Sequence, residues 1–280
     1  NLDALITLGA DSELASVEVL QIDDGWQLRW GDWWAGEDFP SGMTSLAADI
    51  SEAGMTPGLW LAPFYMSTES DTYAQNPDWW VRDHDGVPIQ FSNLGTGDYV
   101  ILDPTHPAAA EWLSETISGV VDQGYHYLKL DFLYAGAMEG QRSEDVTGIE
   151  AFHVGMKIMR EAAGDAWILA CGAPLLPSLG YVESFRTGAD IAFEVSTEPD
   201  IDYYRWQARA TASRAWTQGR WWWMEPDQII VREPLSEVQV RGALASALVA
   251  GGTWMLGDDL GALNTDRLAL SLHPELVLRL

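Results

Sequence analysis

Short apolar, β-branched or aromatic runs alternate along this chain with amphipathic stretches of helical length. The runs are SVEVLQIDD (16–24), MTPGLWLAP (55–63), YHYLKLDFL (125–133), AWILACG (166–172), ADIAFEV (189–195), RWWWMEPD (220–227) and GTWMLGDD (252–259). Helices are expected between them near 43–54, 107–123, 147–163, 202–217, 234–249 and 265–272, the second opened by Pro107 at a first-turn position. Residues 1–10 also read as a helix. A βαβα alternation calls for a parallel sheet covered by helices. Seven strands mostly separated by helices suggest an α/β barrel of the (β/α)8 (TIM) type more than an open sheet, with the missing first strand placed upstream of residue 1. The stretch 64–105 contains Asn76-Pro77, Asp85-Gly86 and Gly95-Thr96-Gly97, and reads as one long irregular loop. Loops of that length after a strand are usually functional.

A length of 280 residues suits one such barrel of roughly 250 residues. No repeat or low-complexity linker divides the chain, so residues 1–280 are read as a single domain. The start at Asn1, without Met, suggests a piece excised from a longer protein. One cysteine, Cys171, leaves no disulfide framework and no cysteine zinc site. The five histidines lack ligand spacing, so no metal is expected.

Charge changes the picture more. Asp and Glu number 42 against 15 Lys and Arg, a net charge of −27. Such a surface repels nucleic acid and anionic membranes, so neither is an expected partner. No apolar run reaches the roughly 18 residues that suggest a membrane span. Only two of the basic residues are lysines, Lys129 and Lys157. Acidic excess with scarce Lys points to a cytoplasm rich in salt, where screening relieves self-repulsion. A secreted protein stays an alternative. Fifteen tryptophans add a further hint, because an indole face is a common platform for a sugar ring.

Acidic residues gather at the ends of the runs. Asp23 and Asp24 end the first, Asp131 falls late in the third, Asp227 ends the sixth, and Asp258 and Asp259 end the seventh. In a parallel barrel these ends face the mouth where active sites form. Asp190 stands apart, at the start of the fifth run. Helix capping would account for Asp227, Asp258 or Asp259. It fits Asp131 poorly, since Lys-Leu-Asp-Phe-Leu continues as an apolar strand and a buried Asp needs a partner or a function. No GxGxxG, Walker or GxSxG motif is present, so nucleotide cofactors and a serine-hydrolase elbow are not indicated. Paired carboxylates with tryptophan and no cofactor suit glycoside hydrolysis.

Seven motifs carry a family likeness: QIDDGWQ (21–27), GLWLAPF (58–64), NPDWWV (76–81), YLKLDFLYAGA (127–137), ILACGAPLLPSLG (168–180), RTGAD (186–190) and MEPDQIIVRE (224–233). Together they resemble the α-galactosidases of glycoside hydrolase family thirty-six, most closely the smaller archaeal and thermophilic-bacterial branch. The resemblance implies a retaining exo-α-galactosidase acting on oligosaccharides of the melibiose or raffinose type. It implies Asp131 as nucleophile and Asp190 as acid/base. It puts Asp23 and Asp24 on the axial and primary hydroxyls of galactose, and Trp60 and Lys129 in the pocket. Cys171 and Arg186 fall near the 2-hydroxyl and the nucleophile. It also implies an N-terminal β-sandwich in the parent protein. Larger relatives carry a CxxGGGRxD-type segment, from which the longer Cys171–Asp190 spacing departs. An α-N-acetylgalactosaminidase, a galactosyltransferase of the same clan and a sugar-binding barrel without activity are the rival readings. If the acidity is an adaptation to salt, activity should hold or rise in molar KCl. A maximum in dilute buffer with a steady fall as KCl is added would refute it.

Overall fold

The computed structural model describes residues 17–92, 97–191 and 201–272. These form two compact units, Glu18–Val182 and the described residues from Glu183 onward. The helix expected over residues 1–10 lies outside the described residues.

The first unit runs β1 (Val19–Ile22), β2 (Gln27–Arg29), β3 (Asp32–Ala35), α1 (Met43–Glu52), β4 (Thr56–Leu61), β5 (Tyr65–Ser67), α2 (Asp71–Gln75), β6 (Gln90–Ser92), β7 (Asp98–Ile101), α3 (Pro107–Asp122), β8 (Tyr127–Leu130), α4 (Gly148–Ala163) and β9 (Trp167–Ala170). Strands β1, β4, β8 and β9 pair in that order, all parallel. Their hydrophobic runs are nearly unbroken because a parallel sheet is covered on both faces. Strand β8 is buried at every position. Helix α3 lays Ala109, Leu113, Ile117 and Val120 along one buried stripe. Helix α4 starts at a capping box, in which the Thr147 side chain accepts from the Glu150 backbone and the Glu150 carboxylate accepts from the Thr147 N–H.

The stretch 64–105 is more ordered than its turn residues suggest. Strands β5, β7 and β6 form a three-stranded antiparallel sheet, and α2 lies between β5 and β6. Asp32 explains how α2 is held. It is buried on β3 and accepts hydrogen bonds from the backbone N–H of Asp71 and Thr72 and from the Thr72 hydroxyl. These partners are about forty residues away, out of reach of any local pattern.

The second unit runs β10 (Ser184–Arg186), α5 (Ile201–Arg214), β11 (Trp223–Glu225), α6 (Glu237–Ala250) and α7 (Thr265–Leu272). Strands β10 and β11 pair in parallel. Of the strand expected at 189–195, residues 189–191 are irregular and 192–195 lie outside the described residues, while the strand that pairs with β11 is Ser-Phe-Arg at 184–186. A buried Ser and a buried Arg hid it from a search for apolar runs. The expected strand at 252–259 shrinks to a single parallel bridge between Ile229 and Leu256. Helix α6 has a second capping box, Ser236 with Gln239. Its far end stops at Gly251 in the left-handed region, φ 71°, where glycine avoids the Cβ clash.

Phe64 locks the first unit together. It is fully buried, and a Cβ added at Gly155 would come within 2.6 Å of its ring, or within 2.7 Å from Gly136. Both glycines are therefore required by close approach. Phe64→Ala should destabilise the fold by roughly 3–5 kcal/mol, the usual range for a large buried aromatic. Urea unfolding should show this as a lower midpoint at unchanged slope; a loss below about 1 kcal/mol would mean that the site collapses around the smaller side chain.

Candidate active site

Strand alternation sets up the site in the first unit. Register pairs Gln21 with Gly58, Gly58 with Tyr127, and Trp60 with Lys129. Side chains at every second position share a face. Asp23, Trp60, Lys129, Asp131 and Cys171 therefore project to one side, at or just past the C-terminal strand ends. The backbone ladder continues to Asp131 and Cys171, whose N–H groups donate to Leu61 and Leu130 carbonyls, each at 2.8 Å.

Hydrogen bonds then fix each group. Asp131 accepts from the Trp60 indole Nε1 at 3.1 Å and from the Phe132 N–H at 2.6 Å. Phe132 has φ 51°, and turns the chain sharply away directly after Asp131. A bulky residue in this region is strained, and such strain tends to gather at functional sites. Lys129 is buried on β8, and its ammonium donates to Asp23 at 2.7 Å. Gln21 donates to the same carboxylate oxygen at 2.7 Å. Asp24 accepts from Gln27 at 2.6 Å and from the Trp30 indole at 3.0 Å. Solvent still reaches Asp24, yet crowding on its other sides pushes its carboxyl above the usual range, against the pull of those two hydrogen bonds.

Aromatic rings surround these groups. Trp30 has ring centroids at 4.6 Å from Tyr99, 5.1 Å from Phe132 and 5.3 Å from Trp60. The Trp26 indole donates to the Trp60 carbonyl at 2.8 Å. Trp60 and Lys129 lie opposite one another on neighbouring strands, but the bond from Trp60 to Asp131 had no signal in spacing. Nor did Trp30, whose place follows from the β2–β3 hairpin.

The second unit holds a separate constellation around Arg186, which is buried at the end of β10. Its guanidinium donates to Asp190 at 2.6 Å through Nη1, meets Asp227 at 2.8 Å through Nη2, and donates to Glu225 through Nε. Asp190 lies four residues past β10 and so, like the other candidate acids, follows a strand end. Glu225 is fully buried and Asp227 nearly so. Asp227 also accepts the Ile191 N–H and has φ 71°. It is thus no helix cap. Burial is the main reason its carboxyl is pushed up to about 6, and Arg186 only partly offsets it. Glu225 went unnoticed in the sequence, though it lies in the MEPD motif beside Asp227. Asp258 accepts from the Val231 N–H and pairs with Arg232 at 2.8 Å, and Asp259 accepts from the Gly261 N–H; both serve local structure.

Among the described residues, Asp83, His84 and Asp85 are close enough to share a cation. Asp83 Oδ1 is already taken by the N–H groups of Asp85 and Val87 in an exposed turn. No helix of the described residues is long and apolar enough to cross a membrane.

The family model of the melibiases matches residues 1–153, more than half of the chain. The chain belongs to the melibiase family. Melibiase relatives include the α-galactosidase AgaA of Geobacillus stearothermophilus, 27% identical over 129 residues, which are 43% of this chain and 17% of that protein. The A type blood α-D-galactosamine galactosaminidase of Flavonifractor plautii is 29% identical over 143 residues, 48% of this chain and 13% of that protein. The α-galactosidase TtGalA of Thermus thermophilus, solved with stachyose, superposes with a TM-score of 0.84 at 32% identity. That match covers 98% of this chain and 60% of the solved one. This melibiase chain therefore spans under two thirds of the relatives it matches. The solved AgaA structure is 19% identical with a TM-score of 0.67, and shares the fold.

The raised carboxyl of Asp227 has a consequence for stability. Its folded-state value, about 6, lies above the ordinary 3.8. Its contribution is therefore fully present below about pH 4 and is lost as pH rises through 6. Asp227→Asn removes this titration, so the fall in unfolding free energy from pH 4 to pH 7 should shrink by up to roughly 3 kcal/mol. Urea melts of both proteins at the two pH values test this; identical pH slopes would show that Asp227 ionises normally.

Proposed function

We propose that this chain is the catalytic part of a retaining α-galactosidase that removes terminal α-linked galactose from oligosaccharides of the melibiose or raffinose type. The carrying observation is Asp131. It is a carboxylate at the end of a buried parallel strand, aimed by an indole N–H and a backbone N–H, beside the Lys129–Asp23 pair. Two solved complexes of one relative, TtGalA, support the substrate class, since they hold stachyose and p-nitrophenyl α-D-galactopyranoside.

In this reading Asp131 is the nucleophile and Asp190 the acid/base. The Asp131 carboxylate attacks the anomeric carbon as the glycosidic bond breaks, and the Asp190 carboxyl gives its proton to the departing oxygen. Water then attacks the same carbon, its proton passes to the Asp190 carboxylate, and the ester bond to Asp131 breaks. Trp60 and Phe132 N–H hold the attacking oxygens. Asp23 and Asp24 accept from the axial and primary hydroxyls, Lys129 orients Asp23, and Cys171 and Arg186 fall near the 2-hydroxyl and the nucleophile. The indoles cover the apolar face of the sugar. No step calls for a cofactor.

Hydrolysis of p-nitrophenyl α-galactoside by the full-length protein, followed by proton NMR, should release α-galactose first. With Asp131→Ala, turnover should drop by about 10³-fold or more, in line with loss of a nucleophile. Added azide should restore product formation as β-galactosyl azide. Prompt release of β-galactose would mean inversion and overturn the assignment of roles.

A further inference from the structure

The pairing of Arg186 with Asp190 poses a difficulty for an acid/base. A guanidinium at 2.6 Å favours the ionised carboxylate, whereas the first step needs the protonated form. The same guanidinium, however, also faces Glu225 and Asp227. Among the described residues, one positive charge is set against three carboxylates, a surplus of two negative charges if all are ionised. Glu225 and Asp227 are buried, where water screens little, while Asp190 is half-exposed. Asp227 is tied to Asp190 a second way, because it accepts the N–H of the next residue, Ile191.

We propose that Glu225 and Asp227 are positioning residues for Asp190. They take up the charge of Arg186, so that the guanidinium orients Asp190 without stripping its proton, and Asp227 also fixes the backbone that carries it. This rests on Asp190 being the acid/base.

The surroundings fit. Helix α5 brings Tyr204, whose hydroxyl donates to the Ile230 carbonyl and whose own ionisation is suppressed, first by burial and further by Asp258 and Asp227. Asp258 is matched by Arg232. The imbalance of charge therefore lies in the set around Arg186. Besides burial, the negative charges of Glu225 and Asp190 push the Asp227 carboxyl up, and Arg186 offsets part of this.

The test uses the full-length protein and two substrates. Melibiose has a sugar leaving group that must be protonated; p-nitrophenyl α-galactoside has one that barely needs it. Asp227→Asn keeps an oxygen acceptor and suits the left-handed backbone at this position. The basic limb of its kcat/KM profile on melibiose should move to lower pH by about half to one unit, which is roughly three- to tenfold in rate on that limb. The p-nitrophenyl substrate should show a smaller loss. Glu225→Gln should move the limb the same way, and provides the test if the first variant fails to fold. Asp227→Glu, which keeps the charge, should leave the limb near its original place. An unmoved limb in Asp227→Asn and Glu225→Gln, with equal losses on both substrates, would make these residues merely structural and overturn the proposal. Asp190→Ala separates the two failures. If it harms melibiose no more than the aryl substrate, the acid/base assignment falls; if it does harm melibiose selectively while the limb stays fixed in the other variants, only the positioning proposal falls.

Discussion

An ammonium removed from water has to meet a carboxylate, and in the first unit Lys129 meets Asp23. Lys129 sits in the middle of a wholly buried strand, where an unpaired charge would cost several kcal/mol. The pair links the exit of β1 to β8 across the intervening β4, and so fixes one row of inward-facing side chains. Gln21 and the strand register complete the row, and Trp60 on β4 then falls opposite Lys129, with its indole against Asp131. The site is thus assembled from the same contacts that order the sheet.

The second unit solves the inverse problem. A buried guanidinium there meets more carboxylate than it can neutralise, and Glu225 and Asp227 share Arg186 with the more exposed Asp190. Excess negative charge in a dry setting favours holding a proton. The first unit balances its buried ammonium with Asp23. In the proposed mechanism this contrast of surroundings gives two chemically equal side chains opposite tasks.

Backbone strain marks the same places. Among the described residues, the non-glycine positions with left-handed φ are Phe132 and Asp227. One turns the chain directly after Asp131, and the other presents a carboxylate to Arg186. Both follow parallel strands by two residues, where the chain leaves the regular ladder.

Much of this was legible in the residues. Unbroken apolar runs identified β4, β8 and β9, because a parallel strand buried on both faces has no polar alternation to confuse it. Helices α3, α4 and α6 were legible as amphipathic stretches of helical length, the first opened by Pro107. Membership of the melibiase family was legible in short motifs such as QIDDGWQ and YLKLDFLYAGA. What the sequence could not convey depends on partners distant along the chain. Strand β10 was hidden because its Ser and Arg are polar, and carboxylates outside the strand, Asp190, Glu225 and Asp227 among them, make Arg186 tolerable inside. The antiparallel sheet within 64–105 was hidden because α2 is held by Asp32, about forty residues earlier. Local pattern reports which face of an element is apolar; it carries no record of which charge will meet which, and that meeting, settled only in three dimensions, decides what Asp131, Asp190 and Asp227 can each do.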